Sequence, residues 1–152
     1  MTLDDLLAER AITRALTLIA RAMDARDWSA LDDLVLPDAT ANLGAGELGG
    51  RAEMVANIRS FLDDCGPTQH LLGNVVVDVD GDTAGSRAYV SDLHLGTGTN
   101  SELTFQTLGD YHDSWVRRGD AWLLARRVKL SRAHVESFAV LGPGPGGWSP
   151  RG

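Results

Sequence analysis

Residues 67–79 read PTQHLLGNVVVDV, and Asp80-Gly81-Asp82 follows them. Before Pro67 the apolar residues recur at helical spacing; after it they run as an extended segment. The Asp-Gly-Asp turn joins a strand over 69–79 to a second over 83–95, which is the pattern of a β-hairpin. His70 stands at the mouth of the first strand, directly before Leu71 and Leu72. A core position there would be served by valine, and a surface position would hardly need the one side chain that titrates near neutral pH. The hairpin decides the fold class, and His70 raises the question of function.

Downstream, a Gly/Thr/Asn turn at 96–100 leads into a strand near 102–117. Arg118-Gly119-Asp120 turns it into another at 121–131. Upstream, Thr2 and Asp5 form a capping-box-like start to a helix that runs to about residue 25. Ile12, Leu16, Ile19 and Met23 make its buried stripe. Thr13, Thr17, Ala20 and Asp24 form a small or polar flank, as the wall of a cavity would. Asp27 can cap a second short helix, WSALDDLV, which Pro37-Asp38 ends. A short strand at 39–43 and a flexible turn, GAGELGG at 44–50, precede a third helix at 51–64 with Met54, Ile58, Phe61 and Leu62 on one face. We therefore expect an α+β domain with three N-terminal helices on one face of a curved antiparallel meander. It would span residues 1–141 and be followed by a Gly/Pro-rich tail, 142–152, without a regular element. That tail is either loose or, through Phe138, Leu141 and Trp148, a flap over a pocket.

A chain of 152 residues with 43% hydrophobic and 23% charged residues suits one soluble domain. Its net charge of −7 opposes nonspecific binding to nucleic acid or anionic lipid. The start, MTLDDLLAER, carries acid where a signal peptide carries base, and no run is long enough to span a membrane. A cytoplasmic location is the expectation. The single cysteine, Cys65, follows Asp63-Asp64 and reads as structural.

No nucleophile elbow, phosphate loop or dinucleotide fingerprint is present. His94 with Asp92, and His112 with Asp110, sit two apart on strands and so share a face. A metal site would need a third ligand that nothing in the pattern specifies, so neither metal nor cofactor is expected. The basic run Arg117–Arg132 reads as a solvated face or as partners for the acidic helices. Arg126 and Arg127 point to opposite faces. What remains is a carboxylate and an imidazole. Asp24, in the last turn of the first helix, opposes the helix dipole at a cost of about 0.3–1 kcal/mol. With His70 it could form a dyad in which the carboxylate fixes the tautomer and the other ring nitrogen serves as general base.

The succession AMDARDW at 22–28, GRAEMVANI at 50–58, TQHLLGNVVVDVDGDTA at 68–84 and RRGDAWLLARR at 117–127 resembles the SnoaL-like branch of the nuclear transport factor 2-like superfamily. By pattern it is similar to the scytalone dehydratase and hexachlorocyclohexane dehydrochlorinase families. The resemblance implies a cone, in which a strongly bent mixed or antiparallel sheet wraps the helices around an apolar pocket and copies often pair through the sheet as homodimers. It implies that Asp24 and His70 are the catalytic pair and that His94 matches a second catalytic histidine. The dehydratase's pocket tyrosines fall here at Met23 and Leu43, and its later Ser and Asn near Gly109 and Tyr111. Scytalone itself is thus not the expected substrate, and Tyr111 and Asn42 are the substitutes for the missing polar groups. The resulting expectation is a cofactor-independent lyase, of dehydratase or dehydrohalogenase type, acting on a small apolar or aromatic molecule. Asp24, His70, His94 and Tyr111 would act on it, and Met23, Asn42, Leu43, Ile58 and Leu62 would bind it. A polyketide-type cyclase or isomerase on the same cone, or a noncatalytic binding module, is the alternative.

Overall fold

A computed structural model describes residues 1–150. Helix α1, Leu3–Ala25, starts with the reciprocal capping box, in which the Thr2 side chain accepts from the Asp5 N–H and the Asp5 side chain accepts from the Thr2 N–H. Its apolar stripe buries Ile12, Leu16, Ile19 and Met23 as expected. Thr13 and Thr17 face solvent, so the polar flank is not a cavity wall along its length. The second helix is a short 3-10 turn, Trp28–Asp33, capped by the Asp27 side chain. Strand β1, Val35–Asn42, then begins earlier than expected because Pro37 and Asp38 sit in an irregularity between Val35 and Thr40 that lets the strand pass them. GAGELGG is more than a turn: Glu47–Gly49 forms β2, which pairs back on β1. Helix α2 covers Arg51–Leu62.

Four long strands follow: β3 (Thr68–Asp80), β4 (Thr83–Leu95), β5 (Thr104–Arg118) and β6 (Ala121–Glu136). The sheet order is β2-β1-β6-β5-β4-β3; β1 runs parallel to β6 and every other pair is antiparallel. This mixed, strongly curved sheet wraps α1 and α2, and α1 packs across β3 and β6. It is the expected α+β cone.

Bulges set which side chains enter the cone. Asn74, at φ 51°, marks an extra residue in β3. Before it, Thr68, His70 and Leu72 face inward; after it, Val75, Val77 and Val79 do. A second extra residue, Ala125 in β6, shifts the inward set from Trp122 and Leu124 to Arg127 and Lys129. A third, Arg132, shifts it again to bring His134 to the cavity. The basic run is therefore not a solvated face. Arg126 is outward and paired with Glu47, whereas Arg127 is buried and inward.

Residues 142–150 close over the cone. Trp148 meets Phe61 edge-on at 4.8 Å, and the Gly142 N–H donates to the Phe61 carbonyl at 2.9 Å. The tail is the flap, not the loose end, as far as residue 150; residues 151–152 lie outside the described residues. Cys65 donates to the carbonyls of Phe61 and Val140, which fits a structural role, and burial raises its thiol further above the ordinary range.

Candidate active site

The end of α1 and the start of β3 are stitched together by Arg26. This residue caps the helix in the left-handed region, at φ 57°. Its guanidinium donates to the Met23 carbonyl, to the Thr68 hydroxyl at 2.8 Å and to the Gly66 carbonyl at 3.1 Å. A cation at this helix end offsets the unfavourable placement of Asp24. Asp24 and His70, 46 positions apart, are thereby in contact. His70 Nδ1 lies 2.7 Å from Asp24 Oδ1, and the His70 backbone N–H donates to Oδ2 at 2.9 Å. The Thr68 hydroxyl donates to Oδ1 at 2.9 Å. Burial pushes the Asp24 carboxyl up, but the hydrogen bonds and charge of His70, with Thr68, outweigh it and hold it below its usual range.

His70 opens onto a cavity of about 770 Å³. Of the residues expected at the site, Met23, Leu43, Ile58, Leu62, His70, His94 and Tyr111 line it. Asp24 does not; it stands behind His70. Asn42 also lies elsewhere. It follows the buried, inward Ala41 at the end of β1 and so faces the other way, with its side chain bonded to Glu47 and to the Gly44 N–H. The flap supplies Trp148 and Pro145, and Phe61, Phe105, His134 and Phe138 complete an aromatic end.

The cavity also has a polar floor that sequence reasoning mostly missed. Asp92, 2% exposed, accepts from Lys129 Nζ at 2.9 Å and from the Thr107 hydroxyl; Lys129 also donates to Thr107 at 3.1 Å. Lys129 is the only lysine among the 14 basic residues, a compositional hint that the strand pattern concealed. Burial acts against its ammonium, but the charge and the hydrogen bond of Asp92 support it and it stays charged. Asp92 Oδ2 stands 3.7 Å from His70 Nε2 and 4.0 Å from His94 Nε2. The third group that the Asp92/His94 pair lacked in the sequence is thus His70. His112 has no such setting: it is exposed on the outer face, where Asp110 pairs with Arg132. Burial lowers the pKa of His94, with Asp92 acting against the shift. The neutral ring bonds the Phe105 carbonyl through Nδ1 at 3.1 Å. Burial raises Tyr111, which keeps its proton, and its ring lies 3.9 Å under the Arg127 guanidinium.

Burial raises the Asp92 carboxyl, but Lys129, His70 and Thr107 overcome it and bring it from 3.8 down to about 2. A carboxyl depressed in the folded state stabilises the protein above its unfolded value, and the contribution is lost as pH falls through the folded one. Acid unfolding of the wild type should therefore steepen between about pH 4 and pH 2. Asp92→Asn should flatten that limb in circular dichroism. An unchanged limb would mean that Asp92 is not held ionised by this network.

The class these features define is a nuclear transport factor 2-like cone with a carboxylate-backed imidazole at its cavity. More narrowly, the SnoaL-like domain family matches residues 4–128, and the chain belongs to it. An uncharacterized protein of Mycobacterium tuberculosis is 33% identical over 120 residues, which cover 78% of this chain and 81% of the relative. Among solved structures, a type 2 hexachlorocyclohexane dehydrochlorinase superposes with a TM-score of 0.79 at 19% identity, covering 96% of this chain and 99% of that one. A candidate scytalone dehydratase of Novosphingobium aromaticivorans gives 0.78 at 22% identity, covering 99% and 100%. At these identities the structures establish the fold. Among the described residues no helix is long and apolar enough to cross a membrane.

Proposed function

We propose that this protein is a cofactor-independent lyase of the dehydratase or dehydrohalogenase kind, with His70 as general base. One observation carries the reading: His70 presents Nε2 to the cavity while its Nδ1 is held 2.7 Å from the Asp24 carboxylate. Asp24 keeps the proton on Nδ1, which leaves the Nε2 lone pair free, and offsets the imidazolium once it forms. Nε2 takes a proton from an acidic C–H of the substrate. The leaving group departs from the neighbouring carbon, a C=C bond forms, and the proton on His70 leaves with water or halide. Tyr111 and the third N–H of Lys129 donate to the negative charge that develops. His94 acts as an acceptor, because its ring proton is committed to the Phe105 carbonyl. The apolar walls and the aromatic end fit a small apolar or aromatic substrate. The dehydratase and dehydrochlorinase descriptions of the solved neighbours supply the two reaction types.

Mass spectrometry of products from a panel of hydroxylated and halogenated ring compounds tests this. Elimination removes the mass of water or of hydrogen halide. A product of unchanged mass would replace the lyase by the isomerase or cyclase alternative.

The protein acts as a homodimer in this reading. Leu71, Val76, Tyr89, Leu93, Leu95, Leu108, Leu130 and Val135 are exposed on the outer sheet face. The charges among them are already paired, since Arg132 binds Asp110 and covers Tyr89. An apolar, self-neutralised face suits a second copy of itself. Leu93→Glu/Leu130→Glu is expected to sediment as a monomer where the wild type sediments as a dimer. A wild-type monomer at micromolar concentration would refute the pairing.

A further inference from the structure

The floor of the cavity brings three acceptor atoms together: His70 Nε2, His94 Nε2 and Asp92 Oδ2 all lie within 4.8 Å of one another. Neither imidazole spends its Nε2 elsewhere. Asp24 takes the Nδ1 side of His70 at 2.7 Å, and the Phe105 carbonyl takes the Nδ1 side of His94 at 3.1 Å. Each ring is thus fixed in the tautomer that turns a lone pair to the same point. An imidazole backed by a carboxylate or a carbonyl is the outer shell that orients histidine ligands around metals. Ligand atoms around an ion with bonds of about 2.0–2.2 Å stand roughly 3–3.5 Å apart. The two imidazoles stand 3.7 and 4.0 Å from the carboxylate oxygen and within 4.8 Å of each other, so side-chain rotations that draw all three inward close the site.

We propose that His70, Asp92 and His94 form a site for a divalent transition-metal ion of the zinc class, which stops the enzyme when it binds. Two imidazoles and one carboxylate select zinc, cobalt, nickel or copper over magnesium and calcium, which prefer all-oxygen shells. Three protein ligands leave the fourth position open to the cavity. The ion competes with Lys129, whose ammonium sits 2.9 Å from the same Asp92 oxygen and serves as the resident cation. Lys129 therefore keeps the site weak, and removing its charge strengthens it. The metal occupies the lone pair of His70, so inhibition rests on the base reading above, whereas binding does not.

Cobalt(II) added to EDTA-dialysed protein provides the probe. One equivalent should give visible d–d bands, which zinc abolishes by displacement. His94→Ala and the near-isosteric Asp92→Asn should both lose the bands, and His112→Ala, on the outer face, should keep them. Asp24→Asn, which disturbs only the backing of His70, should weaken binding by about 10–100-fold. Lys129→Met should tighten it. Absence of bands in folded wild type, or bands that persist in both His94→Ala and Asp92→Asn, would overturn the site. Stoichiometric binding that leaves turnover unaffected would sustain the site and sink the role of His70 as base.

Discussion

His70→Ala is expected to lower turnover by about 10²–10⁴-fold with the fold intact, the range that a positioned general base contributes. The side chain reaches the cavity from the first inward positions of β3, where its loss leaves space instead of a buried unpaired group. Asp24→Asn should produce a loss of similar order by a different route. The carboxylate presents one oxygen to the Thr68 hydroxyl and His70 Nδ1 and the other to the His70 backbone N–H. An amide has a single acceptor oxygen, so one of these donors must face an NH₂ group. If that group faces Nδ1, the ring proton moves to Nε2 and the base is lost. Steady-state kinetics on the first substrate that turns over, with circular dichroism as the control for folding, decides the matter. Two folded variants with near wild-type turnover would end the dyad reading.

Arg127→Met should be the most destabilising single change in the cone outside its apolar core. Arg127 and Asp113 form a bidentate pair at 2.9 and 2.7 Å, with side chains 5% and 1% exposed, and Tyr111 covers the guanidinium. Removing one member leaves a buried carboxylate without a partner, which costs about 3–5 kcal/mol. In a domain of this size that lowers Tm by roughly 10 °C. The double variant Arg127→Met/Asp113→Leu removes both charges and should recover most of the loss, because the pair repays its own desolvation only narrowly. Thermal melts of the three proteins check this. A single variant that melts within about 2 °C of wild type would mean that water or another cation reaches Asp113.

The dyad was legible in the sequence because each half lies at an element boundary that local chemistry marks. Asp24 closes a helix whose start and apolar stripe are explicit, and His70 follows Pro67 at the onset of an extended run. Tyr111 and the cavity positions Met23, Leu43, Ile58 and Leu62 also followed from element phase and the family pattern. Asn42 failed because two successive strand residues cannot both face inward. Lys129 and Arg127 were missed for a related reason. Alternation predicts a face only while the register is unbroken, and Ala125 breaks it within the strand that carries them. Thr107 gives no signal alone, since it matters only beside Asp92 on the neighbouring strand.

Local chemistry by itself determined the order of the helices and the four long strands, the hairpin at Asp80-Gly81-Asp82 and the two residues of the dyad. Caps, turns and periodicity act over a few residues and can be read along the chain. Tertiary structure alone decided that Arg26 ties the helix end to the strand mouth, that bulges turn Lys129 and Arg127 inward, and that the Gly/Pro-rich tail closes the cavity. Those outcomes depend on which distant groups can satisfy buried charge and unpaired backbone, a condition that exists only once the sheet has curved around the helices.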